Sequence, residues 1–145
     1  MKSFLERLKV APLDKEALRN MAPNKFAYLG DVIYELYVRN YVIIKEKGKM
    51  DTINREAVRY VNASAQAAVV KALEEELTPG EWKIVIKARN YKSGKGPRNA
   101  DLGEYRYATG FEALLGYLFL GGSLERMEWI IARGIKIIDE SEEKS

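Results

Sequence analysis

Two largely apolar stretches of this 145-residue chain each carry an acidic residue within a pattern that predicts a helix. The first, FAYLGDVIYELYV at 26–38, has Asp31 directly after Gly30. The second, YRYATGFEALLGYLFLGG at 105–122, has Glu112 near its middle and is apolar around most of its circumference. A carboxylate buried without a partner is strongly desolvated or holds its proton. We therefore expect Asp31 and Glu112 to form the centre of any functional site.

The rest of the chain also has helical spacing, and we find no strand pattern and no internal repeat. The sequence predicts an all-α fold of about six or seven helices. Asn24 is the expected N-cap of a long helix over 24–45, and TPGE at 78–81 has the pattern of a capping box. The predicted helices cover 13–20, 24–45, two segments within 51–77, 79–91, 105–120 and a last segment from 124.

On the long helix over 24–45, one set of apolar residues recurs at helical spacing and is expected to face the core. Gly30 interrupts this helix at a cost in stability, which indicates a close approach of another backbone there. The residues expected to face the core are Leu29, Val32, Ile33, Leu36 and Ile43.

The length of 145 residues fits one domain over 1–145, in which residues 141–145 are expected to fray. The longest nearly charge-free run, 107–124, is interrupted by Glu112 and four glycines, which argues against a membrane span. The start MKSFLERLKV lacks the apolar core of a secretion signal. We therefore expect a cytoplasmic protein.

The chain contains no cysteine and no histidine. This absence excludes disulfides, cysteine or histidine ligands for zinc, and catalytic Cys–His or Ser–His–Asp groups. An enzyme with this composition must use carboxylates, lysines, tyrosines, hydroxyls or a metal held by oxygen atoms. Carboxylates with Mg²⁺, or with Mn²⁺ as a substitute, are the leading chemistry by elimination.

The positive charge of the chain is concentrated between residues 87 and 106. This window has six basic and two acidic residues and carries +4, whereas the whole chain carries +3. At least 92–104 is expected to be a loop because it is rich in glycine and has no apolar periodicity. A basic loop flanked by tyrosines is typical of a contact with a phosphate backbone, although a solvated loop without a partner has the same pattern.

From spacing alone, two roles remain open for the two acids. Each carboxylate could accept hydrogen bonds or pair with an arginine such as Arg106 or Arg39, which is a structural role. Alternatively, Asp31 and Glu112 could share a metal ion.

Four motifs occur in an order that covers most of residues 24–122: AYLGD at 27–31, SAQA at 64–67, RNYKSG at 89–94 and YRYATGFEALLGYLFL at 105–120. With them the chain resembles the ribonuclease III catalytic domain. The similarity is closer to its bacterial branch called Mini-ribonuclease III, in which the catalytic domain has no double-stranded-RNA-binding domain beside it. The resemblance implies the helical fold of that catalytic domain.

The resemblance also implies a homodimeric, Mg²⁺-dependent endonuclease that cleaves double-stranded RNA to 5′-phosphate and 3′-hydroxyl ends. The family substrate is a ribosomal RNA precursor. By position, Asp31 and Glu112 are the expected catalytic and metal-binding carboxylates. The residues expected to contact RNA are Arg89, Lys92, Ser93, Lys95, Arg98 and Arg106.

The chain departs from the pattern of the larger ribonuclease III enzymes at three positions. Ala27 stands where those enzymes have an acid one turn before Asp31, and Thr109 stands where they have an acid three residues before Glu112. Asn24 stands where they have an acid seven residues before Asp31. A Mg²⁺ ion held by two acids keeps more of its waters. These departures favour one alternative, a double-stranded-RNA-binding protein on the same fold that has lost catalysis. A second alternative, from another class, is a helical scaffold that binds no nucleic acid.

Overall fold

The computed structural model describes residues 2–91 and 102–143, and this part of the chain is helical without strands, as predicted. No helix in these ranges is long and apolar enough to cross a membrane. The helices are α1 (Lys2–Arg7), α2 (Lys15–Asn20), α3 (Pro23–Lys45), α4 (Met50–Val61), α5 (Ala63–Ala72), α6 (Pro79–Asn90), α7 (Leu102–Leu120) and α8 (Leu124–Glu143), with a 3₁₀ turn at Glu74–Glu76.

Helix α7 lies at the centre of the fold, with α3, α5, α6 and α8 packed around it. Its crossing with α3 is unusually close because a glycine on each helix removes a side chain from the interface. A Cβ atom at Gly30 of α3 would lie 1.7 Å from the Glu112 carbonyl oxygen of α7, and one at Gly116 of α7 would lie 2.0 Å from the Phe26 carbonyl oxygen of α3. The close backbone approach expected at Gly30 is therefore confirmed.

The prediction of the core-facing side of α3 was wrong for three of five residues. Val32, Leu36 and Ile43 are 62%, 65% and 58% exposed. Because α7 packs directly on Gly30, the buried side of α3 is centred on that glycine. Side chains on the opposite side of the helix face outward. The buried residues of α3 are Pro23, Phe26, Ala27, Gly30, Ile33, Tyr34, Val38 and Val42.

Several helix boundaries also differ from the sequence prediction. Helix α3 begins at Pro23 with Ala22 as N-cap, so Asn24 lies inside the helix. Proline fits the first helical position because its missing N–H needs no partner there. Helix α7 begins at Leu102, three residues before the predicted start, and α1 was not predicted. The capping box is confirmed, since Glu81 N donates to Thr78 Oγ1 at 3.1 Å and Thr78 N to Glu81 Oε1 at 2.9 Å.

Helix α8 is joined to α3 and α4 through Asp139. Tyr41 Oη donates to Asp139 Oδ2 at 2.9 Å, and Tyr60 Oη donates to Asp139 Oδ1 at 2.5 Å. Arg59 of α4 forms ion pairs with Glu142 and with Asp139. These contacts hold α8 in a fixed arrangement with α3 and α4.

Candidate active site

The α3–α7 crossing brings the two sequence-predicted acids together. Gly30 contacts the backbone of Glu112, so Asp31, the next residue of α3, lies beside the Glu112 side chain. The two carboxyl groups are joined by a hydrogen bond. Asp31 is exposed, whereas Glu112 is partly buried. We call these two residues the acid pair.

The environment of Glu112 opposes its ionisation. Burial, followed by the hydrogen bond and negative charge of Asp31, raises the pKa of Glu112 to about 9. The negative charge of Glu35, one turn after Asp31, acts in the same direction, while a hydrogen bond from the Gln66 side chain lowers the pKa. Two carboxylates in contact repel each other unless a proton or a cation lies between them. The acid pair therefore favours a cation.

The arginine partners considered for the acids do not occupy this position. Arg39 Nε donates to Glu35 Oε2 at 3.0 Å, one turn away along the same helix. Arg106 is exposed and has no ion pair with Asp31 or Glu112 within residues 2–91 and 102–143. A structural ion pair with either arginine therefore does not account for the acid pair.

Gln66 of α5 is a site residue to which the sequence gave no role, although it belongs to the SAQA motif. Its side chain is 3% exposed, and its Nε2 donates to the carbonyl oxygen of Val61 at 2.8 Å. Its Oε1 is buried and has no hydrogen-bond partner in the described part of the chain. A glutamine inside an alanine-rich helix is the signal that could have pointed to it, because glutamine is rarely buried.

The oxygen atoms of the acid pair fit Mg²⁺, although the protein alone does not provide a complete coordination shell. Ala27 has no ligand atom, and the Thr109 hydroxyl donates to the Tyr105 carbonyl oxygen of its own helix at 3.0 Å. The described residues contain no group of three or more acidic, histidine or cysteine side chains that could hold a metal. The two carboxylates are hard oxygen donors, and Mg²⁺ is commonly bound by one or two carboxylates with water and substrate phosphate.

A second cluster, formed by side chains of α5, α6 and α7, is positively charged. Lys71 Nζ of α5 and Arg89 Cζ of α6 lie 4.7 and 5.1 Å from the ring centroid of Tyr107 on α7, and an Arg89 Nη atom donates to Tyr107 Oη at 2.7 Å. We call Lys71 and Arg89 the cation pair. Neither forms an ion pair with an acid among the described residues. Lys71 was not predicted from the sequence because isolated exposed lysines are common on helices.

The other predicted RNA contacts are placed differently. Arg106 is exposed on α7, next to Tyr107. Lys92, Ser93, Lys95 and Arg98 lie outside the described residues.

Comparison with known proteins places this chain within one family. The family model described as the ribonuclease III domain matches residues 24–123, which include both acids. Mini-ribonuclease 3 of Thermoanaerobacter sp. strain X514 is 39% identical over 140 residues, 97% of each chain. Mini-ribonuclease 3 of Enterococcus faecalis is 43% identical over 120 residues, 81% of this chain and 91% of the relative. A crystal structure of a Fusobacterium nucleatum protein is similar with a TM-score of 0.73 and 31% identity, covering 82% of this chain and 95% of that one.

Proposed function

Because this chain belongs to the ribonuclease III family, and is an endoribonuclease for double-stranded RNA by that membership, we propose that it is a Mg²⁺-dependent enzyme that matures a ribosomal RNA precursor. We further propose that Asp31 and Glu112 are its catalytic residues and that it acts in the cytoplasm as a homodimer. The observation that carries the proposal is the acid pair, held together by the α3–α7 crossing at Gly30.

In this proposal the acid pair would hold a Mg²⁺ ion, with water and RNA phosphate as its further ligands. The chemistry supplied by the bound ion is activation of water for in-line attack and stabilisation of negative charge on the phosphate and leaving oxygen. Attack of water on phosphorus breaks the bond to the 3′ oxygen, which leaves as a hydroxyl while the phosphate stays on the 5′ end. Glu112 must release its proton before it binds the metal, and Asp31 presents an exposed carboxylate at the same point.

The homodimer is proposed to form through an apolar strip on α3 that we call the α3 outer face, made of Tyr28, Val32, Leu36 and Ile43. All four side chains are more than half exposed, with Tyr28 at 82%. Successive spacings of four, four and seven residues place them along one side of the helix. Pairing two copies through this strip covers an apolar face and brings the two neighbouring Asp31 residues toward a common two-fold axis, where each site could meet one strand of a duplex.

The cation pair is proposed to contribute to the grip on RNA. Two positive charges without an acidic partner repel each other, and the Tyr107 ring offsets this repulsion only in part through cation–π attraction. An RNA phosphate would complete the compensation. Tyr107 precedes Glu112 by five residues, which corresponds to about 7.5 Å along the axis of α7. The same spacing turns Tyr107 by about 140° around α7 relative to Glu112, so the cation pair and the acid pair lie on different sides of this helix. The predicted contacts Lys92, Ser93, Lys95, Arg98 and Arg106 belong to the same proposal.

A cleavage assay tests the function. Purified protein is incubated with long double-stranded RNA in Mg²⁺ or in chelator, beside the Asp31→Asn variant. We expect Mg²⁺-dependent fragments with 5′-phosphate ends from the wild type and intact RNA from the variant. Cleavage by Asp31→Asn at the wild-type rate would remove Asp31 from the mechanism, and equal cleavage in chelator would remove the metal. A second assay on a ribosomal RNA precursor compares its cleavage with that of a random duplex of the same length.

A further inference from the structure

Apart from tyrosines, two polar or charged side chains are buried in the described part of the chain, and they differ in how their polar atoms are satisfied. The Glu81 carboxylate accepts from Thr78 N and from Arg126 Nε and Nη, each at 2.9 Å. The Gln66 amide donates from Nε2 to Val61 O, but its Oε1 has no partner among these residues. Glu81 is therefore a saturated structural group, whereas Gln66 retains an open acceptor.

An open acceptor in a core lowers stability, because the atom loses its hydrogen bond to water and gains none in return. A leucine or methionine would fill nearly the same volume on α5 without that loss. The position of Gln66 explains why an amide occurs here, since its side chain lies against Glu112 and hydrogen-bonds to it. Its Nε2 is at the same time fixed to the carbonyl oxygen at the end of α4. The amide thus links a rigid helix end to one member of the acid pair.

We propose that Gln66 is a positioning residue for the acid pair: its amide N–H groups fix the Glu112 carboxylate relative to the end of α4, and its Oε1 accepts a hydrogen bond from water that enters with Mg²⁺. This role rests on the proposed metal-dependent function. Residues that orient metal ligands in this way act through the ligand and do not touch the reacting phosphate. They matter more when the protein supplies few ligands, as with the two carboxylates here.

The test measures metal binding separately from catalysis. Mn²⁺ is titrated into the wild type, Gln66→Met and Gln66→Asn, and free Mn²⁺ is followed by electron paramagnetic resonance. Each titration is made without RNA and with a short duplex that is already a cleavage product, so that phosphate ligands are present. Methionine keeps the volume and removes both hydrogen-bonding groups, whereas asparagine keeps the amide but is one carbon too short to reach Glu112 as Gln66 does. Val70→Ala, in the buried side of the same helix, is the control for a loss of stability alone.

We expect both Gln66 variants to lose about 10- to 100-fold in Mn²⁺ affinity, the range found when such supporting residues are removed. Val70→Ala should unfold at a lower temperature and bind Mn²⁺ as the wild type does. Gln66 variants that bind Mn²⁺ within twofold of the wild type would show that Gln66 is only structural, while wild-type cleavage would still support the proposed function. A wild-type complex that binds no Mn²⁺ would overturn both the metal site and the role of Gln66.

Discussion

Gly30 and Glu112 are in direct backbone contact: a Cβ atom at position 30 would lie 1.7 Å from the Glu112 carbonyl oxygen. No side chain fits this space, because the nearest atoms belong to a helix backbone, which cannot rotate away as a side chain can. The contact sets the distance between α3 and α7 and, through the next residue of α3, the distance between Asp31 and Glu112. Fold and site thus depend on the same glycine.

Gly30→Ala should separate α3 from α7 and disturb the acid pair. We expect a loss of roughly 3 kcal/mol or more in the free energy of unfolding, because the added methyl group overlaps backbone atoms. Chemical denaturation measures the loss, and cleavage under folded conditions should fall as well. Gly80→Ala is the matched control, since a Cβ there would lie 3.9 Å from its nearest neighbour and should change stability by less than about 1 kcal/mol.

Glu112→Gln should abolish cleavage while the protein remains a folded dimer. The amide keeps the shape of the carboxyl group but cannot supply the negative charge that binds the metal, so we expect a rate loss of about 10³-fold or more. Single-turnover cleavage and size-exclusion chromatography measure the two properties. Residual cleavage within tenfold of the wild type would exclude Glu112 as a catalytic residue.

The stability of the metal-free protein should fall as the pH rises from about 4.5 to about 9. The pKa of Glu112 is raised from 4.5 to about 9, so in this window the folded state holds a proton that the unfolded state has lost, and higher pH favours unfolding. Below this window Glu112 is protonated in both states and contributes no slope. Thermal unfolding in chelator checks this, and Glu112→Gln should unfold about 5 °C above the wild type at the high end of the window.

The wild type and Glu112→Gln should have similar melting temperatures at the acid end of this pH window. A constant difference between them at every pH would show that Glu112 keeps an ordinary pKa in the folded state.

Val32→Glu with Leu36→Glu should dissociate the proposed dimer. Two carboxylates in each copy of the α3 outer face would be desolvated and placed near those of the partner, so we expect the dissociation constant to rise by about 100-fold or more. Sedimentation velocity over a concentration series measures it. Val58→Glu, on an exposed position of α4, is the control. A variant with the wild-type sedimentation profile would place the dimer interface elsewhere.

Lys71→Met with Arg89→Met should weaken binding of double-stranded RNA and flatten its dependence on salt. Each lost phosphate contact should reduce the slope of log affinity against log salt by about 1. Binding is measured in the Asp31→Asn background, where the RNA stays intact. Lys136→Met, on an exposed position of α8, should leave the slope unchanged.

Neutralising Lys92, Lys95 and Arg98 together is expected to flatten the salt dependence in the same assay. An unchanged slope after both sets of changes would show that neither the cation pair nor this segment contacts phosphate.

Sequence alone identified helices α2 to α8, the capping box at Thr78 and the presence of an acid in each of two apolar helices, because these depend on residues near one another in the chain. Helix periodicity is a local property, and an acid within an apolar helix can be recognised from the sequence however that helix packs. Sequence also indicated a close contact at Gly30, since glycine in a helix interior lowers stability and a closely packed neighbouring backbone would explain its presence.

Tertiary structure decided which side of α3 is buried, and here the periodic pattern failed. Val32 and Leu36 have the spacing of core residues, but α7 packs against Gly30 and leaves them exposed. The roles of Gln66 and Lys71 were also invisible in the sequence, because each depends on contacts with residues that are distant in the chain: Gln66 with Glu112, and Lys71 with Tyr107 and Arg89. A sequence pattern shows that a helix has an apolar face, but the neighbours that pack against it determine which face is buried and which polar groups meet there.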